Sequence, residues 1–229
     1  MDRISIVIPT LNEAANIEAT LVRLQPLRGR GHELIVADGG SRDGTHRLAR
    51  PLADRVVTAR RGRARQMNAG AQAARGEVLL FLHADTRLPM DADRLILEGL
   101  ERTGLAWGRF DVRIDGRHAL LGVVAWFMNH RSRLTSVCTG DQSIFVRREV
   151  FARVGGYPSI ELMEDIALSK LLRRQSRPLR IADAVLTSAR RWETRGVLRT
   201  VALMWWLRLR YFFGASPAHL LRLYQRTRD

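Results

Sequence analysis

The sequence predicts an α/β fold in which helices cover both faces of a mostly parallel central sheet, followed by a helical C-terminal extension. Two observations support this prediction. Short, fully apolar runs alternate with helical patterns through the first half of the chain, which is typical of a parallel sheet buried on both faces. Polar clusters directly follow three of these runs, as expected where ligands bind at the carboxyl edge of such a sheet.

The first half of the chain alternates strands and helices in a regular order. Strands are predicted over residues 4–8, 34–37, 56–57 and 78–82, where β-branched and other apolar residues dominate. Helices are predicted over 45–52 and 63–74. Another helix is predicted to begin after Asn12, whose side chain can cap it. The pattern places four of its apolar side chains on one face: Ile17, Leu21, Val22 and Leu24.

The second half is less regular but still mixes the two element types. Strands are predicted over 106–112, 143–146 and 179–187, and helices over 91–100, 118–130 and 165–174. A last helical region extends from 196 to about 224, with a break at 214–217. We therefore expect one α/β domain over residues 1–192, with residues 193–229 as a helical extension packed on it.

Composition excludes several classes of protein. The 229 residues include 38 basic and 23 acidic side chains, for a formal net charge of +15, and Lys170 is the only lysine. The sequence has no GxxxxGK[ST] phosphate-binding loop. Cys138 is the only cysteine, which excludes an intrachain disulfide and a thiolate metal cluster. The positive charge suits nucleic acid, an anionic membrane surface or anionic small substrates. Because no nucleic-acid recognition motif is present, we expect no nucleic-acid partner.

The apolar segments bear on location. The longest uncharged apolar run, residues 119–128, is shorter than the about 20 residues that a membrane span needs. The first residues do not form a signal peptide, so we expect a cytoplasmic protein. The C-terminal region places Trp205 and Trp206 among arginines. It is either a helix packed on the core with its arginines reaching solvent or an interfacial helix in peripheral contact with a membrane.

Candidate functional residues lie in the three clusters that follow strands. Asp38 can accept hydrogen bonds from a base or ribose, or it can simply shape a turn. Asp85 suits Mg²⁺ or Mn²⁺ that bridges a diphosphate, or it can cap a helix. His83, two residues earlier on an extended chain, points to the same side as Asp85 and can bind the metal, a phosphate or a sugar oxygen.

Two further groups have both a functional and a structural interpretation. The arginines of residues 60–65, which include Arg63 and Arg65, suit phosphate oxygens or form a solvated basic face. Glu164 and Asp165 open a helix, where carboxylates complement the helix dipole. Either carboxylate could also act as a general base.

Five segments together resemble the family 2 glycosyltransferases of the GT-A fold. They are SIVIPTLNE at 5–13, DGGSRDGT at 38–45, GRARQMNAG at 62–70, FLHAD at 81–85 and ED at 164–165. Their order and spacing extend the resemblance over roughly residues 4–192. It implies a nucleotide-diphosphosugar donor, usually UDP-linked, and a divalent cation, Mg²⁺ or Mn²⁺.

The resemblance also implies roles for individual residues. Asp85 would be the metal-binding aspartate, and Asp165, beside Glu164, the base that activates the acceptor. The family usually has Asp-x-Asp where this sequence has His83, so one metal-binding carboxylate is missing. The residues assigned to donor binding are Pro9, Thr10, Asn12, Glu13, Asp38, Arg63, Arg65, His83, Ala84, Asp85, Asp141, Gln142, Arg190, Arg191 and Trp192.

Three shorter segments, LHADT at 82–86, GDQS at 140–143 and RRWE at 190–193, resemble a small branch of this family that includes selenosugar synthases. Other relatives in the branch are labelled arsenosugar-associated. This likeness implies selenophosphate as the acceptor and a donor such as UDP-N-acetylglucosamine or UDP-glucose. Four arginines are candidates for holding the acceptor anion: Arg131, Arg133, Arg190 and Arg191. The alternative is a transferase that acts on a hydroxyl or lipid-phosphate acceptor at the membrane surface.

Overall fold

The computed structural model describes residues 2–226, and side chains through residue 225, so the last three residues of the predicted extension lie outside the described residues. The described strands are β1 (Ile4–Thr10), β2 (Glu33–Asp38), β3 (Arg55–Thr58), β4 (Val78–Phe81), β5 (Thr86–Arg87), β6 (Trp107–Asp115), β7 (Phe145–Arg147) and β8 (Leu179–Ser188). The helices are α1 (Ala14–Gly29), α2 (Thr45–Ala49), α3 (Arg63–Ala73), α4 (Ala92–Thr103), α5 (Leu120–Thr135), α6 (Arg148–Arg153), α7 (Glu164–Leu172), α8 (Arg190–Arg195), α9 (Val197–Phe212) and α10 (Pro217–Arg226).

All eight strands form one sheet in the order β3-β2-β1-β4-β7-β6-β8-β5. Strands β3, β2, β1 and β4 are parallel, and so are β6 and β8. Strand β7 pairs antiparallel with both β4 and β6. Its amino end therefore lies at the same edge as the carboxyl ends of β1, β2, β4, β6 and β8. The prediction of a mostly parallel α/β sheet is confirmed.

Both faces of the sheet are covered by apolar side chains. Ile6 and Ile8 belong to one buried cluster, which the side chains of α1 and α4 complete. Val7 points to the opposite face and packs in a second cluster with Met67 of α3 and Leu168 of α7. Because successive side chains of a strand alternate between faces, burial on both sides explains why the strands are apolar throughout.

The start of α1 differs from the prediction. Asn12 does not cap the helix, because its backbone is left-handed (φ 56°) and its side-chain oxygen accepts the N–H of Arg42 at 3.0 Å. The first N–H groups are satisfied by Asp43 and Thr45. Val22 was also placed wrongly on the buried face, since it is 53% exposed. It lies about 100° around the helix from its buried neighbour Leu21.

Three described elements escaped the sequence pattern because each is too short to show a period. Strand β5 is two residues long and pairs Thr86 with Thr187. Helix α6 follows β7 without a break, and α8 follows β8 after one residue. Of these, α8 matters most for the site, because it starts at the carboxyl edge of the sheet.

The two C-terminal helices fold back onto the body of the protein. Leu207 of α9 and Leu220 of α10 are fully buried against Val137, Met163 and Ile166. Of the two interpretations of this region, a helix packed on the core accounts for these contacts. The boundary between a domain over residues 1–192 and an extension over residues 193–229 stays a prediction. Within residues 2–226, no helix combines the length and apolar character needed to cross a bilayer.

A buried ionic network ties β6 to its neighbours. Asp111 accepts hydrogen bonds from Arg109, from Arg133 at 3.0 Å and from Arg180 at 2.6 Å. Arg133 thus pairs with Asp111, although the sequence made it a candidate for binding the acceptor anion. Burial opposes ionisation of Asp111, but the bonds from Arg180 and Arg109 outweigh it and lower the pKa of this carboxyl. Arg109 is 1% exposed and depends on this partner.

We expect Asp111→Asn to lower the free energy of unfolding by about 3–5 kcal/mol, because it leaves buried guanidinium charge unpaired. The pKa of Asp111 is lowered by folding, so its contribution is present above the ordinary aspartate pKa and declines as the pH falls below it. Urea unfolding at pH 7 and at lower pH measures the effect. Asp183→Asn, at an exposed position of β8, is the control. Equal stability of the two variants at pH 7 would contradict this role.

Candidate active site

A cavity of about 770 Å³ opens at the carboxyl edge of the sheet, where α5, α9 and α10 form the opposite wall. A smaller depression of about 380 Å³ adjoins it. Predicted site residues line the cavity, namely Pro9, Thr10, Glu13, Arg63, Arg65, His83, Asp141, Glu164, Asp165, Arg191 and Trp192. Ala84, Asp85 and Arg190 line only the depression. The structure therefore brings most of the predicted residues together.

Asp38 shapes the turn after β2. Its Oδ2 accepts the N–H groups of Gly40 and Ser41 at 3.0 and 2.9 Å, and its Oδ1 accepts from the hydroxyls of Ser41 and Thr10. These bonds match the turn interpretation of Asp38. A contact between its carboxylate and a nucleotide remains a prediction.

Gln66 of α3 is a site residue that the sequence reasoning missed. Its amide nitrogen donates to the carbonyls of Thr10 at 2.6 Å and Ala37 at 3.1 Å, so one side chain joins the ends of β1 and β2. A Cβ on Gly39 would lie 2.9 Å from this side chain, which explains the glycine there. The available signal was the position of Gln66 inside the GRARQMNAG segment.

His83, Asp141 and Arg191 form a chain of polar contacts across the cavity floor. His83 Nδ1 lies 3.3 Å from Asp141 Oδ1, and Arg191 Nη2 lies 3.6 Å from Oδ2 of the same carboxylate. Burial opposes ionisation of Asp141, but His83 and Arg191 outweigh it and hold the pKa of this carboxyl well below its usual range. Asp141 therefore stays ionised and pairs with the arginine.

Asp85 is half-buried, and within residues 2–226 its carboxylate makes no hydrogen bond or ion pair. That part of the chain also contains no group of three or more His, Cys, Asp or Glu side chains able to hold a metal ion. A free carboxylate suits a hard cation that takes its remaining ligands from diphosphate and water. These residues fit a metal that binds together with a diphosphate.

Glu164 and Asp165 differ in environment although they are adjacent. Glu164 is 3% exposed, and its Oε1 lies 3.5 Å from Arg63 Nη1. Burial and the neighbouring Asp165 raise the pKa of Glu164 against the opposing effect of Arg63. Asp165 is more accessible, and its oxygens accept the N–H groups of Gly140 at 2.9 Å and Ile166 at 2.7 Å. Asp165 is thus held in one orientation beside the cavity.

Two predicted donor-binding residues, Asn12 and Gln142, have polar partners within the protein. Gln142 is completely buried, and its amide nitrogen donates to Asn129 and Ser132. Asn12 holds the backbone of Arg42, as described above. Both side chains satisfy backbone or buried polar groups in this structure, and a contact of either with a donor stays a prediction. The sequence could not separate the two roles, because the partners lie far away along the chain.

The comparisons with known proteins agree with the fold. Residues 5–154 match the family described as Glycosyl transferase family 2, so the chain belongs to this family. A PGL/p-HBAD biosynthesis glycosyltransferase of Mycobacterium bovis is 33% identical over 165 residues, which are 67% of this chain and 62% of that protein. A dolichol-phosphate mannosyltransferase of Pyrococcus furiosus is 24% identical over 180 residues, or 74% of this chain and 49% of that protein.

Solved structures show the same architecture. Mannosyltransferase PcManGT from Pyrobaculum calidifontis, in complex with GDP-Man and Mn²⁺, has a TM-score of 0.64 and 22% identity over 81% of this chain and 56% of that one. Glucosyl-3-phosphoglycerate synthase from Mycobacterium tuberculosis, in complex with Mn²⁺, UDP and phosphoglyceric acid, has a TM-score of 0.59 and 23% identity, covering 80% and 68%. The GT-A fold is confirmed. The chain spans about half to two thirds of the length of these relatives.

We expect Gly140→Ala to destabilise the protein by about 1–3 kcal/mol, as overpacking does in a filled interior. An added Cβ would lie 2.5 Å from Nε2 of His83, so the imidazole would have to move. Gly122→Ala in α5 is the control, because no atom lies within 4 Å of its added Cβ and alanine favours a helix. Urea unfolding compares the two variants. If Gly140→Ala destabilises the protein no more than Gly122→Ala does, the close approach of Gly140 to His83 is contradicted.

Proposed function

We propose that this protein transfers a sugar from a UDP-linked donor to an anionic acceptor, with Mg²⁺ or Mn²⁺ held through Asp85. The observation that carries the proposal is the meeting of Asp85, Asp165 and several arginines at one sheet edge of a family 2 chain. Relatives of the same fold are described in complex with Mn²⁺ and UDP or GDP-Man. We retain the expectation of a cytoplasmic protein as part of this proposal.

The donor side of the site has the groups that a diphosphate needs. Arg63, Arg190 and Arg191 present guanidinium groups that match phosphate oxygens in geometry and charge. Asp85 would hold the cation, which when bound would neutralise charge on the departing UDP. Thr10 and Asp38, at the ends of β1 and β2, are the groups we assign to the nucleoside. In the transfer, the acceptor bonds to C1 while the C1–O bond to the β-phosphate breaks and its electron pair leaves with UDP.

For the acceptor we propose selenophosphate, in line with the sequence likeness to selenosugar synthases. A selenium lone pair would form the bond to C1, and UDP would leave with the electrons of the broken C1–O bond. Because selenophosphate is already an anion, it hardly needs a base. Asp165 would then act mainly by position and charge, and most of the rate would come from holding the two reactants together.

A second candidate, a lipid-phosphate acceptor, rests on the surface beside the cavity mouth. Helices α5 and α9, with the residue that follows α9, expose several aromatic side chains, which we call the aromatic surface: Trp126, Phe127, Trp205, Trp206, Phe212 and Phe213. Arg210 lies over the ring of Trp206 at 5.0 Å. Aromatic rings among arginines suit the interface of an anionic membrane. Phe127 and Trp205 also line the cavity, so such a membrane would meet the site directly.

We expect UDP to bind in a cation-dependent way and Asp85→Asn to abolish that dependence, because the variant removes the free carboxylate. Isothermal titration of UDP with and without Mn²⁺ measures this. Asp183→Asn, exposed on β8, should keep the dependence. If wild-type protein binds no UDP in the presence of Mg²⁺ or Mn²⁺ and hydrolyses no UDP-sugar, the proposal is wrong.

The acceptor is tested by a direct product assay. We expect UDP-N-acetylglucosamine or UDP-glucose with selenophosphate to give a sugar that contains selenium, detected by its isotope pattern in mass spectrometry. A parallel reaction uses anionic vesicles that contain a polyprenyl phosphate. Glycosylated lipid with no selenium product would reject selenophosphate. Failure of the protein to sediment with such vesicles at low salt would remove the lipid candidate.

A further inference from the structure

We propose that Arg131 and Arg208 form a binding site for a phosphate-type oxyanion on the Asp165 side of the cavity, where the acceptor enters. This inference rests on the proposed function and specifies its acceptor half. The anion is tetrahedral and carries about 1.5 to 2 negative charges near neutral pH. It can come from a free phosphate analogue in solution or from the head group of a lipid phosphate.

Arg131 is the first reason for this assignment. Its Nη1 donates to the carbonyl of Val137 at 3.0 Å, which fixes the side chain. Its Nε and Nη2 are buried and have no hydrogen-bond partner within the described residues. A buried guanidinium with unused donors is costly unless a ligand satisfies them. Nε and Nη2 of Arg131 can thus donate hydrogen bonds to a ligand in the cavity that this side chain lines.

Arg208 is the second reason. It extends from α9 into the same cavity, and it makes no hydrogen bond or ion pair with the part of the chain that the structure describes. Burial lowers the pKa of both guanidinium groups, and the positive charge of Arg208 lowers that of Arg131 further, to about 10. Two like charges therefore share this wall, and no carboxylate of the described residues lies within 4 Å of either guanidinium group. A bound dianion would relieve both the repulsion and the loss of hydration.

The position of the pair separates it from the donor side. Arg131, Arg208 and Asp165 line the large cavity but not the adjoining depression, which Asp85 and Arg190 line. Arg63 and Arg191, assigned to the diphosphate, line both and stand between the two ends. Charge interactions connect both arginines to Asp165. An anion held here would lie beside Asp165, the residue that we assign to the acceptor. The diphosphate would lie on the Asp85 side. The two anions would then approach the sugar from different sides.

The test is isothermal titration of inorganic phosphate and thiophosphate into protein that is saturated with UDP and Mg²⁺, so that the donor side is filled. We expect Arg208→Gln and Arg131→Gln each to weaken phosphate binding by about tenfold to a hundredfold, as expected for lost charged hydrogen bonds. Arg199→Gln, at an exposed position of the same helix α9, should bind like wild type. Arg208→Lys keeps the charge and should lose less than Arg208→Gln.

Three outcomes would decide the matter. Unchanged phosphate affinity in both glutamine variants would overturn the site. A loss of UDP affinity in Arg208→Gln as large as the loss of phosphate affinity would place the arginine in the donor half, which overturns the inference while the proposed transfer stands. Phosphate binding that depends on Arg208 in a protein that never binds UDP would support the anion site and reject the transfer.

Two further measurements strengthen the test. In the absence of anions, Arg208→Gln should be no less stable than wild type, because it removes an unpaired charge. A lower melting temperature would therefore reveal a folding defect, as distinct from a loss of anion binding. The source of the anion is distinguished by competition against bound phosphate. Displacement by thiophosphate alone indicates a soluble acceptor, and displacement by vesicles containing a polyprenyl phosphate indicates a lipid head group. Either displacement supports the site, and displacement by neither overturns it.

Discussion

The reversal of β7 between β4 and β6 is the constraint on which the site depends. The parallel strands deliver the loops after β1, β2 and β4 to one edge, and the antiparallel β7 delivers the segment before it, Gly140 and Asp141, to the same edge. His83 and Asp141 meet only because of this arrangement. Strand β8, parallel to β6, then brings the start of α8 with Arg190 and Arg191 to the same place.

Charge pairing divides the arginines of this edge into two groups. Arg63 and Arg191 each have a carboxylate within 4 Å, in Glu164 and Asp141. Arg131 and Arg208 have none within the described residues. The carboxylates already neutralise part of the charge of the paired arginines, whereas the unpaired ones leave their full positive charge for a substrate to neutralise. The net charge of +15 alone could not distinguish these roles, because composition does not record pairing.

The sequence was sufficient to predict the architecture and to place most of the candidate site residues at the carboxyl edge of the sheet. Apolar strands such as residues 78–81 are unmistakable, and the polar residues after them fall at one edge by the rule for parallel sheets. It was insufficient where a role depends on a distant partner. Gln142 and Gln66 are both glutamines in family-like segments, yet Gln142 supports Ser132 and Gln66 joins two strand ends.

Arg208 illustrates the same limit on a helix. The helical period places Arg208 nearly opposite Arg199 around α9, but only the packing of α9 across the cavity shows that this side faces inward. Similarly, Asn12 has the residue type of a helix cap, and the loop after β2 competes successfully for its side chain. In each case tertiary contacts decide between two roles that the local sequence permits.

A crystal structure of the protein with UDP and Mn²⁺ tests the central claim most directly. Sugar transfer at this edge predicts the uridine beside Thr10 and Asp38, with the cation between the diphosphate and the Asp85 carboxylate. It also predicts that Arg131 and Arg208 stay clear of the UDP. A diphosphate bound by Arg131 and Arg208 with Asp85 free, or UDP bound away from this edge, would contradict the assignment of donor and acceptor sides.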